Sequence, residues 1–74
     1  MDYLDDSRWE IERYLSQQNI RIDMFTEQMI NDMAYQYYKN YYSYEMDQEY
    51  AALAAVSVVM KENHIEIDGF EEWA

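Results

Sequence analysis

The sequence predicts an all-α fold: a small bundle of three helices followed by a short C-terminal helical turn. Three observations point there. Apolar residues recur at spacings of three and four, capping residues stand before each periodic run, and the chain has one glycine and no proline. Its 74 residues make one small acidic domain, residues 1–74. A chain so short buries only about 60% of the surface that it exposes when unfolded, so its core is thin.

Ser7-Arg8-Trp9-Glu10 has the form of a capping box, with Ser7 at the N-cap and Glu10 three residues on. Ile11, Tyr14 and Leu15 follow at helical spacing and Asn19 fits a left-handed stop, which predicts a first helix over residues 8–18. Asp23 is expected to cap the second helix, whose stripe Ile30, Met33, Tyr37, Tyr41 and Tyr44 faces the core. Ser43 and Asp47 each offer a fresh N-cap, so a break is expected near residues 43–46. The third helix, residues 48–62, runs from Tyr50 to Met60 without a charge and stops near Asn63. A helix uncharged all round is buried on most sides. Its small residues suit a central helix, and the alternative is the seam of a homodimer.

The chain also repeats itself. Ile20-Arg21-Ile22-Asp23-Met24-Phe25-Thr26-Glu27 echoes Ile65-Glu66-Ile67-Asp68-Gly69-Phe70-Glu71-Glu72, each copy after a helix end and before a new helix start. Residues 20–22 and 65–67 can pair as a two-rung ladder with their isoleucines inward, or the echo is a chance likeness of two loops. Paired calcium loops are excluded. With Ile65 or Ile20 at the eighth loop position, the first and third fall on Val58 and Met60, or on Arg13 and Leu15, which offer no carboxylate.

Sixteen Asp and Glu against five Lys and Arg give a net charge of −11. That argues against direct nucleic-acid binding, which needs a positive face, and against docking on an anionic membrane. Without cysteine there is no disulfide, thiolate metal site or cysteine nucleophile. The acidic start MDYLDDSRWE is unlike a signal peptide, and no apolar run approaches the ~20 residues of a membrane span. The expected location is the cytoplasm, that of the host cell if a phage encodes the chain. Leu, Ile, Val and Phe number only fourteen, near the disordered class, but nine Tyr, six Met and two Trp restore apolar area.

No catalytic residue, metal site or cofactor is expected. Glu62, His64, Glu66 and Asp68 alternate and share one face if extended, yet inward isoleucines would simply push them into solvent. Ser7 is assigned to capping, no base is placed beside Ser16, Thr26, Ser43 or Ser57, and one glycine cannot build a phosphate loop. The expectation is not an enzyme.

Two features call for a purpose. Tyr35, Tyr38 and Tyr42 fall on the face opposite the core stripe, joined by Met24 and Met46, and either pack between helices or form a contact surface. The charge is also uneven: residues 1–19 carry −3, residues 20–44 carry −1 and residues 45–74 carry −7. The last group holds Glu45, Asp47, Glu49, Glu62, Glu66, Asp68, Glu71 and Glu72. Carboxylates four apart on a helix lie about 6 Å from one another, close to the phosphate spacing of a nucleic-acid strand. Those eight acids, with the three tyrosines as anchors, are the expected partner-binding residues. The expected function is that of an acidic inhibitor, a nucleic-acid mimic that blocks a basic nucleic-acid-handling protein of CRISPR, restriction or transcription machinery. In size and charge alone the chain is similar to small phage-borne inhibitors. The alternative is a dimeric structural or regulatory subunit, such as an antitoxin or adaptor.

Overall fold

A computed structural model describes residues 3–67 and residue 70. Three α-helices pack on one another: α1 (Tyr3–Gln17), α2 (Glu27–Tyr38) and α3 (Gln48–Glu62). A 3-10 turn, Ile22–Met24, precedes α2, and a π turn, Lys39–Ser43, extends it. The Cα radius of gyration, 11.1 Å, fits the ~11 Å of a folded chain of this length and not the ~26 Å of an unfolded one. Among the described residues there is no strand. The expected C-terminal turn lies outside the described residues.

α1 starts earlier than the capping box implied. Ser7 is buried inside the helix, in line with Ile11, Tyr14 and Leu15, while Asp5 and Asp6 occupy the first turn. A small hydroxyl suits the tight inner face of α1, and the two aspartates favour the positive helix end. α2 is capped by Thr26, whose Oγ1 accepts from Met29 N at 3.2 Å. Asp23 instead sits in the 3-10 turn and pairs with Arg21 at 2.8 Å. Phe25 and Ile30, the residues before the cap and four after it, are both in the core, the positions of a hydrophobic staple. α3 has the expected bounds, because Asp47 accepts from Glu49 N and so satisfies an orphan donor.

The internal echo has a helical cause, not the two-rung ladder. α1 and α3 end in the same motif. Ile20 N donates to Leu15 O at 2.9 Å and Ile65 N to Met60 O at 2.9 Å. The residue between, Asn19 (φ 60) or His64 (φ 57), is left-handed. This is the Schellman stop, completed by an isoleucine turned back onto the core. Asn63 is the C-cap of α3, as expected, and His64 takes the left-handed position after it. Arg21 is extended, but Ile22 is exposed and lies in the 3-10 turn, so residues 20–22 do not form a rung with both isoleucines inward.

The core joins Ile11, Leu15, Ile30, Met33, Val56, Val59 and Met60, all nearly inaccessible. Ala51, Ala52, Ala54 and Ala55 are buried too, and such small side chains let α3 lie close against its neighbours. Burial of α3 thus occurs within the monomer. Ile65, Ile67 and Phe70 pack partly against this core. No described helix is long and apolar enough to cross a membrane.

Candidate protein-binding surface

The end of α2 and its passage to α3 carry the tyrosines. A π turn places one residue more than an α turn inside the hydrogen-bonded loop, here closed by Tyr44 N donating to Lys39 O at 3.1 Å. Asn40 latches the turn: its side chain donates to Ala51 O at 3.2 Å, and its carbonyl accepts from Met46 N at 3.0 Å. The expected core stripe therefore ends early. Ile30, Met33 and Tyr37 are buried, but Tyr41 is 37% and Tyr44 64% exposed. The surplus residue shifts the helical phase, and the chain leaves the core after Tyr37.

Of the expected second face, Tyr35 is 51% and Tyr42 54% exposed, and Tyr38 is half-buried. Met24 does not join them, since it lies in the 3-10 turn before α2, and Met46 packs partly on the core. The rings form a connected series. Tyr37 stacks on Tyr41 at 5.7 Å, Tyr41 meets Tyr42 edge-on at 4.9 Å, and Tyr42 lies 5.1 Å from Tyr38. Offset and edge-on rings at these distances attract beyond simple area burial. Lys39 Nζ sits 5.6 Å over Tyr35, so one face of that ring already holds a cation.

A polar tie anchors the series to the other helices. Gln48 donates to Glu10 at 2.9 Å and also hydrogen-bonds the Tyr37 hydroxyl. Burial pushes the Tyr37 hydroxyl up to about 12, despite the opposing Gln48 bond. Tyr14 is likewise raised, chiefly by burial and then by the Glu49 charge.

The acids expected to bind a partner fall into two groups. Glu45, Asp47 and Glu49 follow the tyrosines directly and are exposed. Glu45 holds a left-handed backbone, φ 53, which disfavours a side chain of its kind. Asp47 has the capping role already described. Glu62, at the other end of α3, lies about 20 Å from Glu49 at 1.5 Å per residue, and Glu66 follows beyond the helix stop; both are exposed. The two groups are not one patch. Asp68, Glu71 and Glu72 lie outside the described residues.

The three arginines lie elsewhere. Arg8 pairs with Glu12 and Glu27, Arg13 with Glu10, and Arg21 with Asp23. Among the described residues, no ion pair neutralises Glu45, Asp47, Glu49, Glu62 or Glu66. No described group of three His, Asp or Glu side chains gathers to hold a metal. Trp9, Tyr41, Tyr44 and Tyr50 are exposed aromatic residues that sequence reasoning missed, and the density of tyrosine around residues 41–44 signalled Tyr41 and Tyr44 alone. No family model, curated protein or solved structure matches this chain.

Proposed function

We propose that the protein acts by binding another protein, as a small acidic inhibitor that occupies the nucleic-acid site of a basic partner. The observation that carries this reading is the run from Tyr41 to Glu49, where exposed rings lead straight into three carboxylates that no described cation pairs with. Tyrosines supply rigid contact area and carboxylates steer a cationic partner, the division of labour found at steered interfaces. Glu62 and Glu66 would reach the same partner only if its basic surface extends some ~20 Å along α3. The reading needs neither catalysis nor a cofactor, and it suits a phage- or mobile-element-encoded inhibitor of CRISPR, restriction or transcription machinery.

The test is capture on the immobilised chain at low and moderate salt, with DNA or RNA added as competitor. The expected result is retention of basic nucleic-acid-binding proteins that is lost with salt, displaced by nucleic acid and abolished by Glu45→Lys with Glu49→Lys. Capture that ignores both salt and nucleic acid sinks the mimic. A dimeric interaction subunit, antitoxin or adaptor, is the second reading, favoured by the exposed rings of Tyr35, Tyr41 and Tyr44. Sedimentation velocity would then give a salt-insensitive dimer.

A further inference from the structure

A cleft of about 470 Å³ opens between α1 and α3, inside the range of about 300–1,000 Å³ usual for ligand sites. Its walls are the rings of Tyr14, Tyr50 and Phe70 together with Leu53 and Gln18, and its charged groups are Asp47 and Glu49. Both charges are negative, and no described cation lines this cleft. Asp47 is occupied in capping α3, which leaves Glu49 as the carboxylate available to a visitor. Its charge already reaches the buried Tyr14 hydroxyl.

The adjoining cleft, about 260 Å³, shares Tyr14 and Glu49 and shows what such a surface accepts. There Arg13 lies 5.8 Å from the Trp9 ring centroid and 3.8 Å from the Glu10 carboxylate. A guanidinium between an aromatic face and a carboxylate is thus held by this chain beside the larger cleft, which has both partners and no guanidinium.

We infer that the α1–α3 cleft receives an arginine side chain of the partner protein, its guanidinium paired with Glu49 and stacked among Tyr14, Tyr50 and Phe70. The inference rests on the proposed basic partner and names the group that the partner inserts. Arginine is preferred to lysine because its planar, weakly hydrated head both stacks on rings and pairs with a carboxylate through two nitrogens. Phosphate and other anions are repelled from the same walls.

The experiment is an NMR titration of the isotope-labelled full chain with a capped tripeptide bearing central arginine, and with its lysine counterpart. The arginine peptide is expected to shift the ring signals of Tyr14, Tyr50 and Phe70 saturably and more tightly than the lysine peptide. Glu49→Gln is expected to weaken it about tenfold, the loss of one charge-assisted pair. Asp32→Asn, on α2 and away from the cleft, leaves it unchanged, and the helical circular dichroism of each variant verifies its fold. Equal response to both peptides, or equal loss in Glu49→Gln and Asp32→Asn, means diffuse attraction and overturns the assignment. A cleft that fails here leaves salt-sensitive, nucleic-acid-competed capture untouched, so the two failures are told apart.

Discussion

Arg8 on α1 holds Glu27 on α2 with both terminal nitrogens, Nη1 to Oε2 and Nη2 to Oε1, at 2.8 Å each. The same guanidinium reaches Glu12 at 3.1 Å and Asn31 at 3.2 Å. One side chain thus fixes the mutual position of two helices. Arg8→Ala is expected to lower Tm, and Arg8→Lys to restore only part of it, because an ammonium cannot make the parallel pair. The Glu27 carboxyl is held below its ordinary 4.5 by that hydrogen bond and then by the charge. A depressed carboxyl stabilises the fold above its unfolded value and ceases to do so as pH falls through its folded one. The gap in Tm between wild type and Arg8→Ala should therefore be full at neutrality and close below pH 4.5.

Thr26→Ala is expected to cost about 1 kcal/mol, the usual worth of an N-cap hydroxyl. Asp23→Ala, which removes only an exposed ion pair, should lie within about 0.5 kcal/mol of wild type. Urea unfolding of the two variants decides between them, and the reverse order would return the cap to Asp23.

Raised phenol values stabilise the fold below the unfolded value near 10 and release that stability as pH climbs through the folded one. For Tyr37 that window runs from 10 to about 12. Spectrophotometric titration should resolve a late-ionising tyrosine, and Tyr37→Phe should remove that late step.

Met60 and Ala55 are both fully enclosed, for opposite reasons. Met60→Ala empties volume and is expected to cost about 2–5 kcal/mol. Ala55→Leu crowds the close approach of α3 and is expected to cost about 1–3 kcal/mol. In a domain whose total stability is of order 5 kcal/mol, either change should show in urea midpoints and the first should leave little folded protein.

Self-repulsion at net charge −11 opposes folding. Raising sodium chloride from about 20 mM to about 200 mM shortens the screening length from roughly 20 Å to roughly 7 Å. Tm is expected to rise over that range in a calorimetric scan, and a fall would mean that the few ion pairs outweigh the repulsion.

Much of the helical plan could be read from residues. Asp47 and the uncharged run behind it marked α3, and Asn19 marked the end of α1, because caps and stops act through local hydrogen bonds that sequence displays. Ser7 misled because a hydroxyl serves equally as a cap or as a small residue on an inner face, and only packing against a neighbour decides. Asp23 and Thr26 are both good caps, and burial of Phe25 selected the second. The Ile-x-Ile echo was visible, but its cause was not, since a helix stop and an extended rung share the same apolar residue. Tyr41 and Tyr44 were assigned to the core because wheel arithmetic assumes an unbroken α period. For the surface, residue types were legible, and so was the separation of Glu45–Glu49 from Glu62–Glu66, because α3 has the bounds that its caps predicted.

The π turn at Lys39–Ser43 makes the outward rings depend on chain length as well as on residue type. Remove a single amino acid there and an ordinary α turn can close, rotating the downstream residues by about 100°. Tyr41, Tyr42 and Tyr44 would then exchange outlooks while the packed faces of α1 and α3 kept theirs. A one-codon deletion is thus a dial for retuning what the molecule touches, turned without rewriting its interior.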